Sequence, residues 1–139
     1  MVDLSGIVCD AGISKYGIGG KRVRIKVVNL SKHKILFKES FETDRTINEM
    51  ELRAIYHATK LAHFKNLIFS DSLEAIKMIN EESFKDKEIK EYVESIRNYI
   101  YLKDLSIRFW DKKIYGRNPA DCRIYKPGRN FHYLYSKGV

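Results

Sequence analysis

Two acidic residues end apolar segments of the sequence, and a third interrupts an apolar helical face. Asp10 closes the run LSGIVCD, and Asp71 directly follows the run LIFS. Glu51 has apolar residues at i−4, i+3, i+4 and i+7, which would be its neighbours on one side of a helix. A carboxylate on such a face is costly unless something pairs with it. Glu51 is therefore expected either to pair with Arg53 or a nearby lysine, or to share a site with Asp10 and Asp71.

A shared site of this kind requires a counter-charge. Three converging carboxylates repel one another unless a cation lies between them. Hard divalent ions such as Mg²⁺ prefer oxygen ligands, and carboxylates are the common protein source of those oxygens. The three residue types therefore predict a divalent cation site, provided that the fold brings their segments together.

The hydrophobic periodicity predicts the elements that carry these acids. Strands are expected at 4–10, 21–30, 35–43, 67–69 and 105–109, and helices at about 47–63, from 73 and from 89. The order βββαβααβ predicts an α/β fold with a mixed sheet, covered on both faces because the helical crossovers must pack against it. Functional sites in such sheets gather at the carboxyl ends of the central parallel strands. Asp10 and Asp71 are expected there.

Length and composition favour one globular domain covering residues 1–139, and the 44% hydrophobic content excludes a disordered chain. No apolar run is long enough to cross a bilayer, so we expect a cytoplasmic protein without a membrane partner. The net charge is +8, and residues 20–38 contain seven basic residues and no acidic one. Such segregation indicates either a nucleic-acid partner or a generally basic protein.

Four acidic motifs, read in order, resemble type 1 ribonuclease H. They are CDAGISKYGIGG with Asp10, TINEMEL with Glu51, FSDS with Asp71 and NPAD with Asp121, and the resemblance runs from about residue 5 to 123. It implies a five-stranded mixed sheet of order 3-2-1-4-5 flanked by helices. It also implies that the four acids are catalytic and bind two Mg²⁺ or Mn²⁺ ions, which would hydrolyse the RNA strand of RNA/DNA hybrids to 5′-phosphate and 3′-hydroxyl ends. No obligatory protein partner is implied.

The resemblance extends to residues that would bind the substrate, with several departures from the family pattern. Asn48 matches a position that contacts the minor groove of the hybrid, and Ser72, Arg117 and Arg123 are the other expected substrate-binding residues. The loop before the last acid contains no histidine, so Arg117 is the nearest replacement. The Asn-Pro-Gly after the first acid, the glutamine after the Asp-Ser pair and the basic handle helix are also missing. These differences identify a divergent member.

Three questions remain open at the level of sequence. Asp111 also follows the last strand and is an alternative to Asp121 as the fourth ligand, although Lys112 and Lys113 offer it ordinary partners. The basic aromatic tail from Tyr115 to Tyr135, which includes Arg117 and Arg123, would either clamp nucleic acid or cover a sheet edge. The chain would act on hybrids, act on another nucleic acid as related resolvases and transposases do, or bind without cleavage.

Overall fold

A computed structural model describes residues 6–16, 20–81 and 83–122 of the chain. The elements, in chain order, are β1 Ile7–Tyr16, β2 Gly20–Asn29, β3 Lys34–Glu42, α1 Ile47–Leu61, β4 Leu67–Ser70, α2 Leu73–Met78, α3 Lys87–Lys103, β5 Ser106–Phe109 and α4 Lys112–Tyr115. None of the described helices is both long enough and apolar enough to cross a lipid bilayer.

The five strands form one mixed sheet in the order β3-β2-β1-β4-β5. β1, β2 and β3 form an antiparallel meander, whereas β4 lies parallel to β1 and β5 lies parallel to β4. This is the expected order 3-2-1-4-5, so the predicted fold class is confirmed. β1 and β4 are central neighbours, and this pairing places the segments that carry Asp10 and Asp71 side by side.

The first strand is longer than predicted, and Asp10 lies within it rather than at its end. Residues 11–16, expected to form a turn, pair with β2 from Ala11 opposite Ile25 to Tyr16 opposite Gly20. A Cβ at position 12 would lie only 2.7 Å from the carbonyl oxygen of Cys122, so a larger residue would clash with the backbone at Cys122. Glycine leaves room for this close approach. Gly12 is therefore compatible with a strand, and the predicted boundary at residue 10 is wrong.

Helix α1 begins at a capping box formed by Thr46 and Glu49. The Thr46 hydroxyl accepts a hydrogen bond from the Glu49 amide, and the Glu49 carboxylate accepts one from the Thr46 amide. These bonds satisfy backbone donors that lack partners in the first turn. The apolar stripe of α1 then packs on β1 and β2, and α3 packs on α1.

The sheet has a hydrophobic cluster on each face. The larger cluster joins the helices to one face through residues such as Val23, Ile25 and Leu52. On the opposite face, Trp110 packs in a smaller cluster with Val8 and Phe69 and donates its indole hydrogen to the carbonyl of Gly116. The short helix α4, which the sequence pattern did not predict, lies on this second face.

Candidate metal-binding site

Three elements bring Asp10, Glu51 and Asp71 together at one place. Asp10 lies in β1, Asp71 follows the last residue of β4, and Glu51 projects from the side of α1 that packs on β1. One carboxylate oxygen from each residue lies within 4.8 Å of the other two. The sequence-based expectation that these segments converge agrees with this arrangement.

Glu51 has one oxygen that the protein satisfies and one that it does not. Oε1 accepts a hydrogen bond of 2.8 Å from the amide of Ala11. Oε2 is buried and has no hydrogen-bond partner among the described residues. The alternative pairing with Arg53 does not occur, because that guanidinium binds Glu39 at 2.7 Å. An unpartnered buried carboxylate oxygen is costly, and a cation beside it would remove the cost.

The surroundings of Asp10 and Glu51 favour protons in the absence of a cation. Burial is the main cause that raises the pKa of Asp10 to about 7, and the nearby charge of Asp71 adds to the effect. Burial likewise raises the pKa of Glu51 well above its ordinary value, followed by the charge of Asp10. The amide of Cys122 opposes the shift by donating a 2.9 Å hydrogen bond to Asp10 Oδ2.

Asp71 is half-buried and has two polar neighbours that the sequence analysis did not assign to the site. The Asn118 side-chain amide lies 3.4 Å from Asp71 Oδ2 and also 3.4 Å from the carbonyl oxygen of Cys9. Lys112 Nζ lies 3.9 Å from the same Asp71 oxygen. Asn118 is 1% exposed, so its amide is a fixed part of the site. The only sequence signal for it was its place in the NPAD motif.

Asp121 stands beside the group of three without belonging to it. Its carboxylate lies 3.4 Å from Arg117 Nε, and its backbone amide donates to the carbonyl of Asn118. The neighbouring Cys122 supplies the amide that binds Asp10. Asp121 therefore remains a predicted fourth ligand. The alternative residue, Asp111, caps α4 by accepting a hydrogen bond from the Lys113 amide at 2.9 Å.

The predicted substrate-binding residues fall into three groups. Asn48 and Ser72 line an open groove together with Glu51 and Asp71, and Ser72 also caps α2 through the Ala75 amide. Arg117 lies beside Asp121, with 39% of its side chain exposed. Arg123 and the basic aromatic segment that follows it lie outside the described residues.

The donor set fits a hard divalent cation. The three converging groups offer carboxylate oxygens, which Mg²⁺ and Mn²⁺ prefer. Two thiols lie nearby, but burial raises the pKa of Cys9 well above its ordinary value and that of Cys122 to about 12. Both thiols also donate to backbone carbonyls, Cys9 to Phe69 and Cys122 to Asp10 and Ala120, and neither sulfur belongs to the converging group of three. The site is therefore built for oxygen coordination.

Comparisons with known proteins bear on the fold. No family model and no curated protein sequence matches the chain. Among solved structures, the chain is similar to ribonuclease H1 from the halophilic archaeon Halobacterium salinarum, with 17% identity and a TM-score of 0.54 over 82% of this chain and 90% of that one. It is also similar to the N-terminal ribonuclease H domain of a Mycobacterium tuberculosis protein, with 14% identity and a TM-score of 0.53 over 80% and 86% of the two chains.

A third similar structure is the foamy viral protease-reverse transcriptase in complex with an RNA/DNA hybrid. The identity is 18% and the TM-score is 0.62, over 80% of this chain and 18% of that longer chain. Identities of 14% to 18% establish a shared fold and leave the activity to be argued from the site.

Proposed function

From the ribonuclease H-like fold of this chain, we propose that the protein is a metal-dependent nuclease that hydrolyses the RNA strand of RNA/DNA hybrids. The observation that carries the proposal is the convergence of Asp10, Glu51 and Asp71 within 4.8 Å, with the buried Oε2 of Glu51 lacking any partner among the described residues. A structural ion-pair network would have satisfied that oxygen. A cation bound between the acids would give that oxygen a partner.

The metal would be held by Asp10, Glu51 and Asp71, and Asp121 is proposed to complete a second position. When bound there, two divalent ions would supply a water that is nucleophilic at neutral pH and would stabilise the leaving 3′ oxygen. The backbone of the chain orients these ligands. The Ala11 amide holds Glu51 Oε1, and the Cys122 amide holds Asp10 Oδ2, so a backbone amide fixes one oxygen of each acid.

Side chains around the acids are suited to bind the substrate backbone. Two basic side chains lie beside the acids: Lys112 is 3.9 Å from Asp71, and Arg117 is 3.4 Å from Asp121. Their positive charge would attract a scissile phosphate bound at the acids. Asn48 and Ser72 line the groove that leads away from the acids. Short polar side chains in such a groove suit the minor-groove edge of a hybrid, where 2′-hydroxyls distinguish RNA from DNA. The products would carry 5′-phosphate and 3′-hydroxyl ends.

The test is a gel assay of labelled RNA/DNA hybrid, duplex RNA and duplex DNA, each with Mg²⁺ and with Mn²⁺. We expect cleavage confined to the RNA strand of the hybrid. Cleavage of another substrate would instead support a resolvase- or transposase-like nuclease. Binding without cleavage of any substrate would support a non-catalytic module.

The variant Asp71→Asn should abolish cleavage, because the amide keeps the shape of the side chain but removes the charge that holds the metal. Asp104→Asn is the matched control. Asp104 is an exposed residue with φ 53° that ends α3. It lies just before the amino end of β5, whereas Asp71 follows the carboxyl end of the parallel strand β4, so the two residues are at opposite ends of these strands. Asparagine tolerates this left-handed conformation, so the control should keep wild-type activity. Wild-type cleavage by Asp71→Asn would refute the proposed site.

A further inference from the structure

The face of the sheet that is opposite α1 carries an array of basic side chains beside the acidic site. Along β2, Val23, Ile25 and Val27 are buried toward α1, so the alternating residues Arg22, Arg24 and Lys26 project from the other face. Lys38 on β3 is the register partner of Lys26 and projects from the same face. We define these four residues as the basic face.

Nothing in the described structure neutralises the centre of this face. No ion pair or side-chain hydrogen bond among the described residues involves Arg24, Lys26 or Lys38. Glu39 is close in sequence, but its carboxylate turns toward α1 and binds Arg53. Unpaired basic side chains in a row create a positive potential that attracts a polyanion.

Acidic side chains near the two ends of the face are already engaged. Glu42, the register partner of Arg22, has a partner of its own, and Arg22 Nε donates to the Ser40 hydroxyl at 2.8 Å. Asp121, at the other end, pairs with Arg117. The centre of the face is therefore left with a net positive charge.

The basic face is continuous with the acidic site. Lys26 pairs in register with Asp10 on one side and with Lys38 on the other, so one row across the sheet joins the acids to the basic face. Arg24, Lys26 and Lys38 also line a depression together with Asp121 and Cys122. A chain of phosphates that lies in this depression would lead directly to the metal-binding residues.

We propose that the basic face binds the phosphate backbone of the nucleic-acid substrate at a distance from the cleaved bond. Arg22, Arg24 and Lys26 lie two residues apart on one strand and span about 13 Å, over which one strand of a duplex presents about four phosphates. The segment 123–139 does not supply a counter-charge, because it contains four basic residues and no acidic one. This inference rests on the proposed function for its ligand class, and its test is separate.

The experiment measures binding of a fluorescein-labelled RNA/DNA hybrid to the full chain in EDTA, where cleavage is absent, between about 50 and 200 mM salt. The double variant Arg24→Gln, Lys38→Gln removes two charges from the basic face. The matched control Lys87→Gln, Lys90→Gln removes two exposed charges from α3, which packs on the opposite side of the sheet. Both variants have the same net charge, so a difference between them reports the location of the charge.

We expect the basic-face variant to bind at least about tenfold more weakly than wild type. The slope of log K against log salt should fall by about 1.8, because each phosphate that a basic side chain neutralises contributes about 0.9 to that slope. In the control variant, neither the affinity for the hybrid nor the salt slope should change by a comparable amount. Equal slopes for the two variants, or no binding by the wild type, would overturn the proposal. It would also be wrong if binding of poly-L-glutamate, and not of the hybrid, depended on Arg24 and Lys38, since the face would then dock an acidic protein.

Cleavage of the hybrid with Mg²⁺ is measured in parallel on the same three proteins. If the wild type cleaves the hybrid and the basic-face variant binds it as tightly as the wild type does, the proposed role of the basic face is refuted. The nuclease proposal then stands. A wild type that binds through the basic face but does not cleave would refute the nuclease proposal alone.

Discussion

Replacing Asp10 with asparagine should stabilise the metal-free protein, and the gain should grow with pH. Asp10 is 5% exposed, and its pKa is raised from 3.8 to about 7, chiefly by burial. The folded protein therefore holds a proton that the unfolded chain releases at lower pH. Stability from this proton is fully present below the unfolded pKa and is lost as the pH rises through the folded value.

The magnitude follows from these two pKa values. At about pH 5 folded Asp10 is still protonated, whereas at about pH 8 it is ionised in both the folded and the unfolded states. With about 1.36 kcal/mol for each tenfold change in proton affinity, ionisation of Asp10 lowers the free energy of unfolding by about 3 kcal/mol between these two pH values. Asparagine retains an oxygen for the Cys122 amide but cannot ionise, so the variant avoids this loss.

Urea unfolding of the wild type and the variant in EDTA gives the difference in their free energies of unfolding, and this difference is compared between about pH 5 and pH 8. The gain of Asp10→Asn over the wild type should be larger at the higher pH by about 2 to 3 kcal/mol. Glu94→Gln is the control, because it removes a carboxylate whose side chain is 62% exposed on α3, and its small effect should be equal at both pH values. An equal effect of Asp10→Asn at both pH values would refute the reasoning about burial.

Three further predictions concern neighbouring parts of the site. Asn118→Ala should lower the free energy of unfolding by about 1 to 3 kcal/mol in a urea titration, because it leaves the buried Ala120 amide without its partner; an unchanged midpoint would contradict this. Arg117→Ala should lower kcat for the hybrid by about tenfold or more, and an unchanged kcat would exclude Arg117 from turnover. Mg²⁺ should raise the Tm of the wild type at about pH 8 more than that of Glu51→Gln, and equal shifts would place the ion elsewhere.

The strands and helices with a strong hydrophobic period were predictable from sequence. The alternation along β2 and the apolar stripe of α1 each depend on one buried face, which the residue pattern records directly. The continuation of β1 through residues 11–16 was not predictable from a local pattern. It depends on pairing with β2 and on the close approach of the Cys122 carbonyl to Gly12. The four-residue helix α4 is shorter than a helical period can reveal.

The acidic residues of the site were easier to anticipate than the groups that hold them. The sheet order that the resemblance implies places β1 beside β4, so Asp10 and Asp71 were expected to be neighbours, and the two strands do pair. The hydrogen bonds from Asn118 to Asp71 and from the Cys122 amide to Asp10 depend on the path of a loop after β5, which has no periodic pattern. Likewise, the pairing of Asp121 with Arg117 depends on side-chain conformation.

The same burial that raises the pKa values of Asp10 and Glu51 would also govern how the proposed site takes up a cation. Two of the three carboxylates are almost fully buried, Asp10 at 5% and Glu51 at 4% exposure, so neither can be stabilised by bulk water. In the metal-free protein, the remaining way to reduce their repulsion is to retain a proton. A divalent ion would have to displace that proton, and its apparent affinity should therefore rise with pH as the raised pKa values of Asp10 and Glu51 are passed. Under the proposed function, protons and the metal would therefore compete for the same buried carboxylates, and that competition would set how much of the protein is metal-loaded at a given pH.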